Sequence, residues 1–247
     1  MFAKTRLALL VGWVTGSVAF PLLAQETTKN DTVVVTSQMQ SGATKLTTPD
    51  IETPQSVSIV TREQFEEQGA TSVRQAVSYT PGVYSNQIGA SNRFDYIVLR
   101  GFSDGSLDNV YLDGLKMMGD TNSHSSLVVD PWFLEDIEVV RGPASVLYGR
   151  SSPGGIVALT SRKPSFDAGG EVKLFAGNNN QRGAAFDVTG ALDDNDRVAA
   201  RLSGMTRYAD SQFGPLKEER YALMPSLTWR ITDQTRLDLM AYLHRDP

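Results

Sequence analysis

The sequence predicts an α+β domain followed by the first antiparallel strands of a transmembrane β-barrel, which stays incomplete. Capped helix patterns and short apolar runs alternate between residues 49 and 164. From residue 165 onward, apolar residues recur at every second position and charged residues occupy the positions between them. Because a strand places successive side chains on opposite faces, this alternation is typical of a sheet with one apolar and one polar side. A basic and then apolar N-terminus predicts export.

The composition excludes several classes of protein. The chain has 247 residues, of which 40% are hydrophobic and 21% charged, so one or two folded domains are expected. Its formal net charge of -5 argues against nucleic acid as a partner, since phosphate binding needs a basic face. Cysteine is absent, which excludes disulfides, thiol chemistry and cysteine-ligated metals.

Residues 1–24 are predicted to be a secretory signal peptide. Lys4 and Arg6 precede an apolar run that ends at Ala24. A permanent transmembrane anchor is disfavoured because glycines and a proline interrupt this short run. Residues 25–48 form a polar arm that is expected to be flexible. Three consecutive valines within residues 31–36 favour a strand, which would either join a partner's sheet or form an edge of the following domain.

The segment 49–164 is predicted to be a compact mixed domain. Strands are expected at residues 57–60, 97–99, 110–112 and 137–140. Thr61 and Ser72 each precede a glutamine at capping-box spacing, which predicts two helices. Pro143 is expected at the first position of a third short helix that Gly149 ends.

Five alternating segments follow in residues 165–247. They cover residues 171–176, 184–192, 197–208, 219–231 and 237–243. A soluble sandwich would also alternate. Two features favour a barrel: long and short connections alternate, and Tyr221 and Trp229 lie about 26 Å apart on one apolar face, as two interfacial aromatic belts would. Pro225 lacks a backbone donor, so a bulge is expected there.

A possible hydrolase motif is interpreted as a chance match. Residues 101–105 read G-x-S-x-G, which would make Ser103 a nucleophile. That motif requires a strand, a sharp turn and then a helix, whereas another strand pattern follows at residues 110–112. No catalytic residue and no protein metal ligand are therefore predicted.

Residues 134–149, LEDIEVVRGPASVLYG, and the following PGG at 153–155 closely resemble the plug of TonB-dependent outer-membrane siderophore receptors. Residues 79–83, 99–102 and 111–114 resemble the same family at matching spacing. Within this family, the chain is most similar to the hydroxamate branch, which comprises the ferrioxamine and ferrichrome receptors. The resemblance implies a plug domain at 49–164 and about five barrel strands at 165–247. Since family barrels close with about 22 strands, the chain is interpreted as a truncated N-terminal fragment.

The resemblance also implies a function. The protein would be a receptor, not an enzyme, that imports a ferric hydroxamate siderophore across the outer membrane of a Gram-negative bacterium. Iron would arrive within the siderophore, and no cofactor is expected. TonB, energised by its inner-membrane complex, would bind from the periplasm to a TonB box formed by Asp31, Thr32, Val33, Val34, Val35 and Thr36. A receptor for a different iron chelate or another scarce nutrient is the alternative.

The resemblance further implies two sets of site residues. Three plug apices would hold the siderophore, and they comprise Ile88, Gly89, Gly105, Ser106, Thr121 and Asn122. Ferrichrome receptors tend to have arginine and aromatic side chains there, so their absence favours ferrioxamine. Arg100 and Arg141 match plug arginines that pair with barrel glutamates and seat the plug. The alternative for these two is a surface ion pair that contributes little.

Overall fold

The computed structural model describes residues 39–40, 48–49, 55–86, 95–102, 109–117, 119–120, 125–211 and 217–247. The predicted signal peptide and residues 31–36 lie outside these ranges. Two short strands, β1 (Met39–Gln40) and β2 (Thr48–Pro49), pair antiparallel.

A globular domain follows between residues 55 and 162. Its elements are β3 (Ser56–Thr61), α1 (Arg62–Glu67), α2 (Val73–Ala76), β4 (Val83–Tyr84), β5 (Val98–Leu99), β6 (Val110–Leu112), β7 (Leu115–Lys116), β8 (Gly119–Asp120), β9 (Ser125–Ser126), a 3-10 helix (Pro131–Phe133), β10 (Leu134–Arg141), α3 (Ser145–Tyr148) and β11 (Gly155–Ser161). The central sheet has the order β3-β10-β11-β6-β7. Only β11 and β6 run parallel in it.

The caps of the helices explain where they begin. Thr61 accepts a hydrogen bond from the Gln64 N–H, and the Gln64 side chain accepts one from the Thr61 N–H, so the predicted capping box is confirmed. The prediction for α3 is wrong in one detail, because Ala144 is the N-cap and keeps a non-helical backbone, which leaves Pro143 outside the helix. No described helix has the length and apolar character that crossing a membrane would require.

The later strands form one antiparallel sheet, which we call the strand wall. Its strands are β12 (Gly169–Ala176), β13 (Arg182–Ala191), β14 (Val198–Asp210), β15 (Lys217–Thr232), β16 (Thr235–Met240) and β17 (Leu243–Arg245). They pair in sequence order, except that both β16 and β17 pair with β15. Within the described residues this sheet does not close, which confirms the predicted fold class of a mixed domain followed by part of a barrel.

The period-two pattern sorts the side chains of the wall as predicted. Val172 and Leu174 are more than three-quarters exposed on the outward face. The inward face packs on the globular domain, and its buried residues Ala185, Met205, Ala222 and Met224 join the hydrophobic core of that domain. Domain and wall therefore share one continuous core.

The connections define two ends of the wall. Those after β12 and β14 lie at one end, the loop end, and those after β13 and β15 lie at the other, the turn end. At the turn end, the Asp193 carboxylate accepts hydrogen bonds from the N–H groups of Arg197 and Val198, at 2.9 and 2.8 Å. This acidic stretch is thus a tight turn.

The bulge expected at Pro225 is not present. The pairing of β14 with β15 runs through Pro225 opposite Leu202 without a register shift. The Pro225 carbonyl accepts a hydrogen bond from the N–H of Ala241, which lies in the gap between β16 and β17. The pairing keeps one register from β16 to β17, so Pro225 lies opposite Ala241, and its missing N–H leaves only the reciprocal hydrogen bond of this pair unmade.

Gly155 is required by a close backbone approach. A Cβ atom there would collide with the Val140 carbonyl oxygen, and the glycine has φ +133°. Gly149 also has a positive φ, of +69°, but a Cβ atom there would meet nothing within 4 Å. A side chain at Gly155 would therefore cause a steric collision, whereas a side chain at Gly149 would only strain the backbone.

We expect Gly155→Ala to lower the free energy of unfolding of the globular domain by more than about 3 kcal/mol, because the β10 backbone must move. Gly149→Ala should cost less, about 1–3 kcal/mol, because it strains the backbone without a collision. Denaturant unfolding of both variants measures this difference. Equal losses would contradict the close approach.

Candidate functional site

A short segment of the globular domain contacts the strand wall along its length. This seat segment, residues 128–133, is buried throughout. The Asp130 side chain caps the 3-10 helix by accepting a hydrogen bond from the Trp132 N–H at 3.0 Å, and Pro131 opens the helix. The local sequence thus forms a tight turn that presents a carboxylate and an indole to the wall.

The carboxylate of Asp130 binds two arginines of the wall. Arg207 donates to Asp130 Oδ2 at 2.7 Å and also to the carbonyl of Thr71 at 3.0 Å. Arg220 lies 3.6 Å from the same Asp130 oxygen. Arg220 is bound more closely by Asp246, whose carboxylate accepts three hydrogen bonds of 2.7 to 3.2 Å from it. Two buried cations of the wall therefore converge on one carboxylate of the domain.

In a second charged cluster the carboxylate belongs to the wall, and the domain contributes an arginine. Here the wall supplies the carboxylate of Asp187, which accepts three hydrogen bonds of 3.0 to 3.1 Å from Arg201 and a short one from Ser203. The domain supplies Arg162, whose guanidinium lies 3.3 Å from Asp187. Burial, and then the charges of Arg62 and Arg201, hold the pKa of Arg162 below its usual value.

A more exposed ion pair lies beside this cluster. Arg62, in the first turn of α1, lies 3.3 Å from Glu171 of the wall and 2.6 Å from Glu66 of its own helix. The Glu171 side chain is 41% exposed, so solvent screens this pair. Arg201 and Arg207 are six positions apart on β14, which places the two clusters about 20 Å from each other along the strand.

Aromatic contacts fill the space between the clusters. The Trp132 indole donates to the carbonyl of Phe186 at 3.3 Å. Three cations lie 5.1 to 5.9 Å from its ring centre, those of Arg62, Arg162 and Lys173. A cavity of about 230 Å³ adjoins the indole. Trp132 is thus the central apolar contact of the interface.

Tyr242 of the wall holds both ends of the seat segment. Its hydroxyl donates to the carbonyl of Val128 at 3.2 Å. Its ring packs edge-on against Phe133, with ring centres 5.3 Å apart. Tyr242 therefore contacts the seat segment through its backbone at one end and through a side chain at the other.

A larger, charge-lined cavity of about 430 Å³ opens beside Val128 toward the loop end. Arg74 and Asp95 line it from the domain, and Asp210, Glu219 and Asp246 line it from the wall. Burial raises the pKa of Asp95 to about 6, although a hydrogen bond from the Arg74 N–H opposes this shift. The cavity offers groups of both signs to a polar ligand.

The predicted site residues fall into two groups. The six apex residues and the six residues of the predicted TonB box lie outside the described residues, so those assignments stay predictions. Arg141 donates to Ser56 Oγ and to the Pro81 carbonyl, both at 3.0 Å. Arg100 is exposed, adopts a left-handed backbone with φ 50° and lies near Gly142, beside Arg141. Neither arginine is ion-paired with a glutamate of the wall in the described part of the chain, and their seating role remains a prediction.

The seating contacts that the structure contains were not identified from the sequence. The alternation predicted charged residues on one face of the sheet, but it could not tell which residues of the domain they meet. The Asp130-Pro131 pair was the available signal, since an aspartate before a proline is a common helix start. That signal predicts a cap, not an ion pair with a strand about 80 residues away.

Comparison with known proteins gives consistent results for both parts of the chain. Residues 49–156 match the TonB-dependent Receptor Plug Domain family. The whole chain is 92% identical to the ferrioxamine B receptor of Salmonella typhimurium strain SL1344, of which it covers 35%. It is 39% identical over 224 residues to the ferrichrome outer membrane transporter/phage receptor of Escherichia coli K12, which is 90% of this chain and 30% of that protein. The open form of the ferric-catecholate import receptor Fiu of E. coli K12 is similar in structure, with a TM-score of 0.72 and 28% identity over 84% of this chain and 29% of that one. The chain thus spans about a third of the length of these curated relatives.

We expect Trp132→Ala to lower the free energy of unfolding of the globular domain by about 3–5 kcal/mol, because a buried indole is replaced by a void. Trp132→Phe keeps the ring but loses the hydrogen bond, and should cost about 1 kcal/mol. Trp229→Ala, on the outward face of the wall, is the control. Calorimetry of the detergent-solubilised protein measures these changes, and an equal effect of the two alanine variants would contradict the role of Trp132.

We expect the ionisation of the Asp95 carboxyl to make the globular domain less stable as the pH rises from 4 to 6. The pKa of Asp95 in the folded protein, about 6, exceeds its usual 3.8, so the folded state favours the neutral carboxyl. The stabilisation is complete below pH 3.8 and is lost as the pH rises through 6, by at most about 3 kcal/mol. Asp95→Asn should flatten this part of the profile of unfolding temperature against pH, whereas the exposed Asp194→Asn should not. An unchanged slope in Asp95→Asn would contradict the assignment.

Proposed function

The chain belongs to the TonB-dependent receptors, and from this premise we propose that it serves an outer-membrane receptor that binds and imports a ferric hydroxamate siderophore of the ferrioxamine class. One observation carries the proposal. The 92% identity to a ferrioxamine B receptor extends over the whole chain, and therefore over both the globular domain and the strand wall.

In this proposal the globular domain is the plug and the strand wall is part of the barrel around it. The outward residues of the wall, such as Leu174 and Trp229, face lipid, because an exposed apolar face needs an apolar solvent. The loop end faces the cell exterior and the turn end faces the periplasm, as is usual for short turns in such barrels. The charge-lined cavity then lies on the outer side of the plug and contributes polar contacts to the incoming complex.

The mechanism proposed for import has three steps. The ferric siderophore binds at the plug apices, at residues 88–89, 105–106 and 121–122. TonB binds residues 31–36 as an added strand, since that segment has strong strand preference. Its pull on this arm then loosens the contacts between the seat segment and the wall, and the siderophore passes. Iron enters as cargo of the siderophore, and the protein catalyses no reaction.

The lower identity to the ferrichrome transporter supports ferrioxamine as the ligand. Identity falls from 92% for the ferrioxamine B receptor to 39% for the ferrichrome transporter. We therefore place this chain with the ferrioxamine receptors.

Growth on single iron sources tests the proposal. The test uses a full-length receptor, meaning one that continues this sequence to the length of its relatives, in a strain that lacks other siderophore receptors. We expect growth on ferrioxamine B at concentrations at least about tenfold lower than on ferrichrome or a catecholate. Val34→Pro should abolish growth but keep binding of ferric siderophore to the cells, since proline removes a strand hydrogen bond, whereas Val34→Ile should preserve both.

Two results would contradict the proposal. Growth on the catecholate alone would show that the ligand class is wrong. Normal growth of the Val34→Pro variant would show that residues 31–36 do not couple the receptor to TonB.

A further inference from the structure

We propose that the smaller cavity, beside Trp132, is a binding site for a small aromatic carboxylate that contacts the globular domain and the strand wall at once. The walls of this cavity are largely apolar and aromatic, and the charge without a partner at its edge is positive. Binding there does not depend on the proposed function.

Aromatic side chains line the cavity from both folded parts. The domain contributes Phe65 and Trp132, which are buried, and the wall contributes Phe175 and Met205. The volume is about 230 Å³, whereas a dry apolar cavity of about 150 Å³ already holds a benzene molecule in another protein. One aromatic ring with a short substituent therefore fits between the two parts.

The two carboxylates that line the cavity already have cationic partners. Glu66 lies 2.6 Å from Arg62, and Asp130 accepts a hydrogen bond from Arg207 at 2.7 Å. A cationic ligand would therefore find no free carboxylate at this site.

The cations of the cavity, in contrast, have unused binding capacity. Lys173 has no carboxylate partner within 4.0 Å in the part of the chain that the structure describes, and its ammonium group lies 5.9 Å from the centre of the Trp132 ring. The Nε of Arg207 is buried, and no described residue accepts a hydrogen bond from it. A carboxylate is the group that either of these cations binds most strongly. The ligand that fits is therefore an apolar ring with one negative charge.

The cavity can be reached from the loop end. Gly69, Thr71, Gln181 and Arg207 line both this cavity and the larger one, so the two cavities adjoin. A small water-soluble anion can therefore reach Trp132 through the larger cavity. A ferric trihydroxamate complex needs more room than about 230 Å³, so this site takes a ligand other than the transported one.

A ligand in this cavity stabilises the seated arrangement of the two parts. It contacts Trp132 of the domain and Phe175 of the wall together, so it loses contacts when they separate. A ligand that binds one arrangement more tightly shifts the equilibrium toward it. An occupied cavity therefore slows import, and this link to import, unlike the binding, rests on the proposed function.

Titration of the full-length receptor in detergent with phenylacetate tests the site. Phenylacetamide has nearly the same shape but no charge, and isothermal titration calorimetry measures the affinity of both. We expect a dissociation constant of about 1 mM or lower for phenylacetate, as suits a ligand of this size, and at least about fivefold weaker binding of phenylacetamide.

Three variants locate the binding. Lys173→Gln should reduce the preference for phenylacetate over phenylacetamide at least about threefold, because the cation that distinguishes them is gone. Ala185→Leu, which fills part of the cavity from the wall, should weaken binding of phenylacetate at least about fivefold. Lys217→Gln is the control, since Lys217 is exposed and lies outside the cavity, and its affinity should stay within about twofold of the parent. The unfolding temperature of each variant shows that it is folded, and Lys173→Gln tests the site without altering the core.

Uptake by cells measures the consequence for import. Saturating phenylacetate should slow uptake of the ferric siderophore at least about threefold in the parent and leave Ala185→Leu unaffected. Equal slowing of both would overturn the bridging role of the cavity, as would no slowing of the parent.

The inference is also overturned if phenylacetate does not bind the parent at about 10 mM, if both ligands bind equally, or if Ala185→Leu binds as the parent does. A receptor that binds phenylacetate as expected but takes up no ferric siderophore under any condition would contradict the proposed function and leave the binding site supported. The two failures are therefore distinguishable.

Discussion

The inward face of the strand wall carries charges that lie between two folded parts, where little water can solvate them, and this constraint organises the interface. A charge in such a place must have a partner or it destabilises the fold. Arg201 meets it within the wall, through Asp187, whereas Arg207 meets it with a carboxylate from the domain. The seat segment has its position because Asp130 must reach that arginine while Trp132 fills the space beside it.

The same constraint applies to backbone groups. A sheet in an apolar surrounding has to pair its N–H and C=O groups with each other. Pro225 costs the ladder one hydrogen bond, opposite Ala241, and Gly155 is needed because β11 lies so close to β10 that a side chain would not fit.

A domain seated inside a wall must be held in place and yet be able to move. Continuous apolar packing would hold it, but it would resist any displacement in proportion to the area buried. Here charged clusters about 20 Å apart accompany the shared apolar core, and cavities of about 230 and 430 Å³ lie next to the seat segment. Within the wall, Arg201 keeps Asp187 and Arg220 keeps Asp246, so these two ion pairs do not depend on the domain.

The sequence by itself determined the elements that depend on local rules. The capping box at Thr61 and the alternation from residue 171 onward rest on hydrogen bonds and side-chain directions within a few residues, and both were predicted correctly. Family motifs such as residues 134–149 identified the plug without any structure. Tertiary structure alone decided which inward charges of the wall meet which charges of the domain. Asp130 and Arg207 are 77 positions apart, and no local pattern encodes a distance of 2.7 Å between atoms so far separated along the chain. The pairing arises only when two folded parts are brought together, because the cost of an unpaired buried charge then selects the partner.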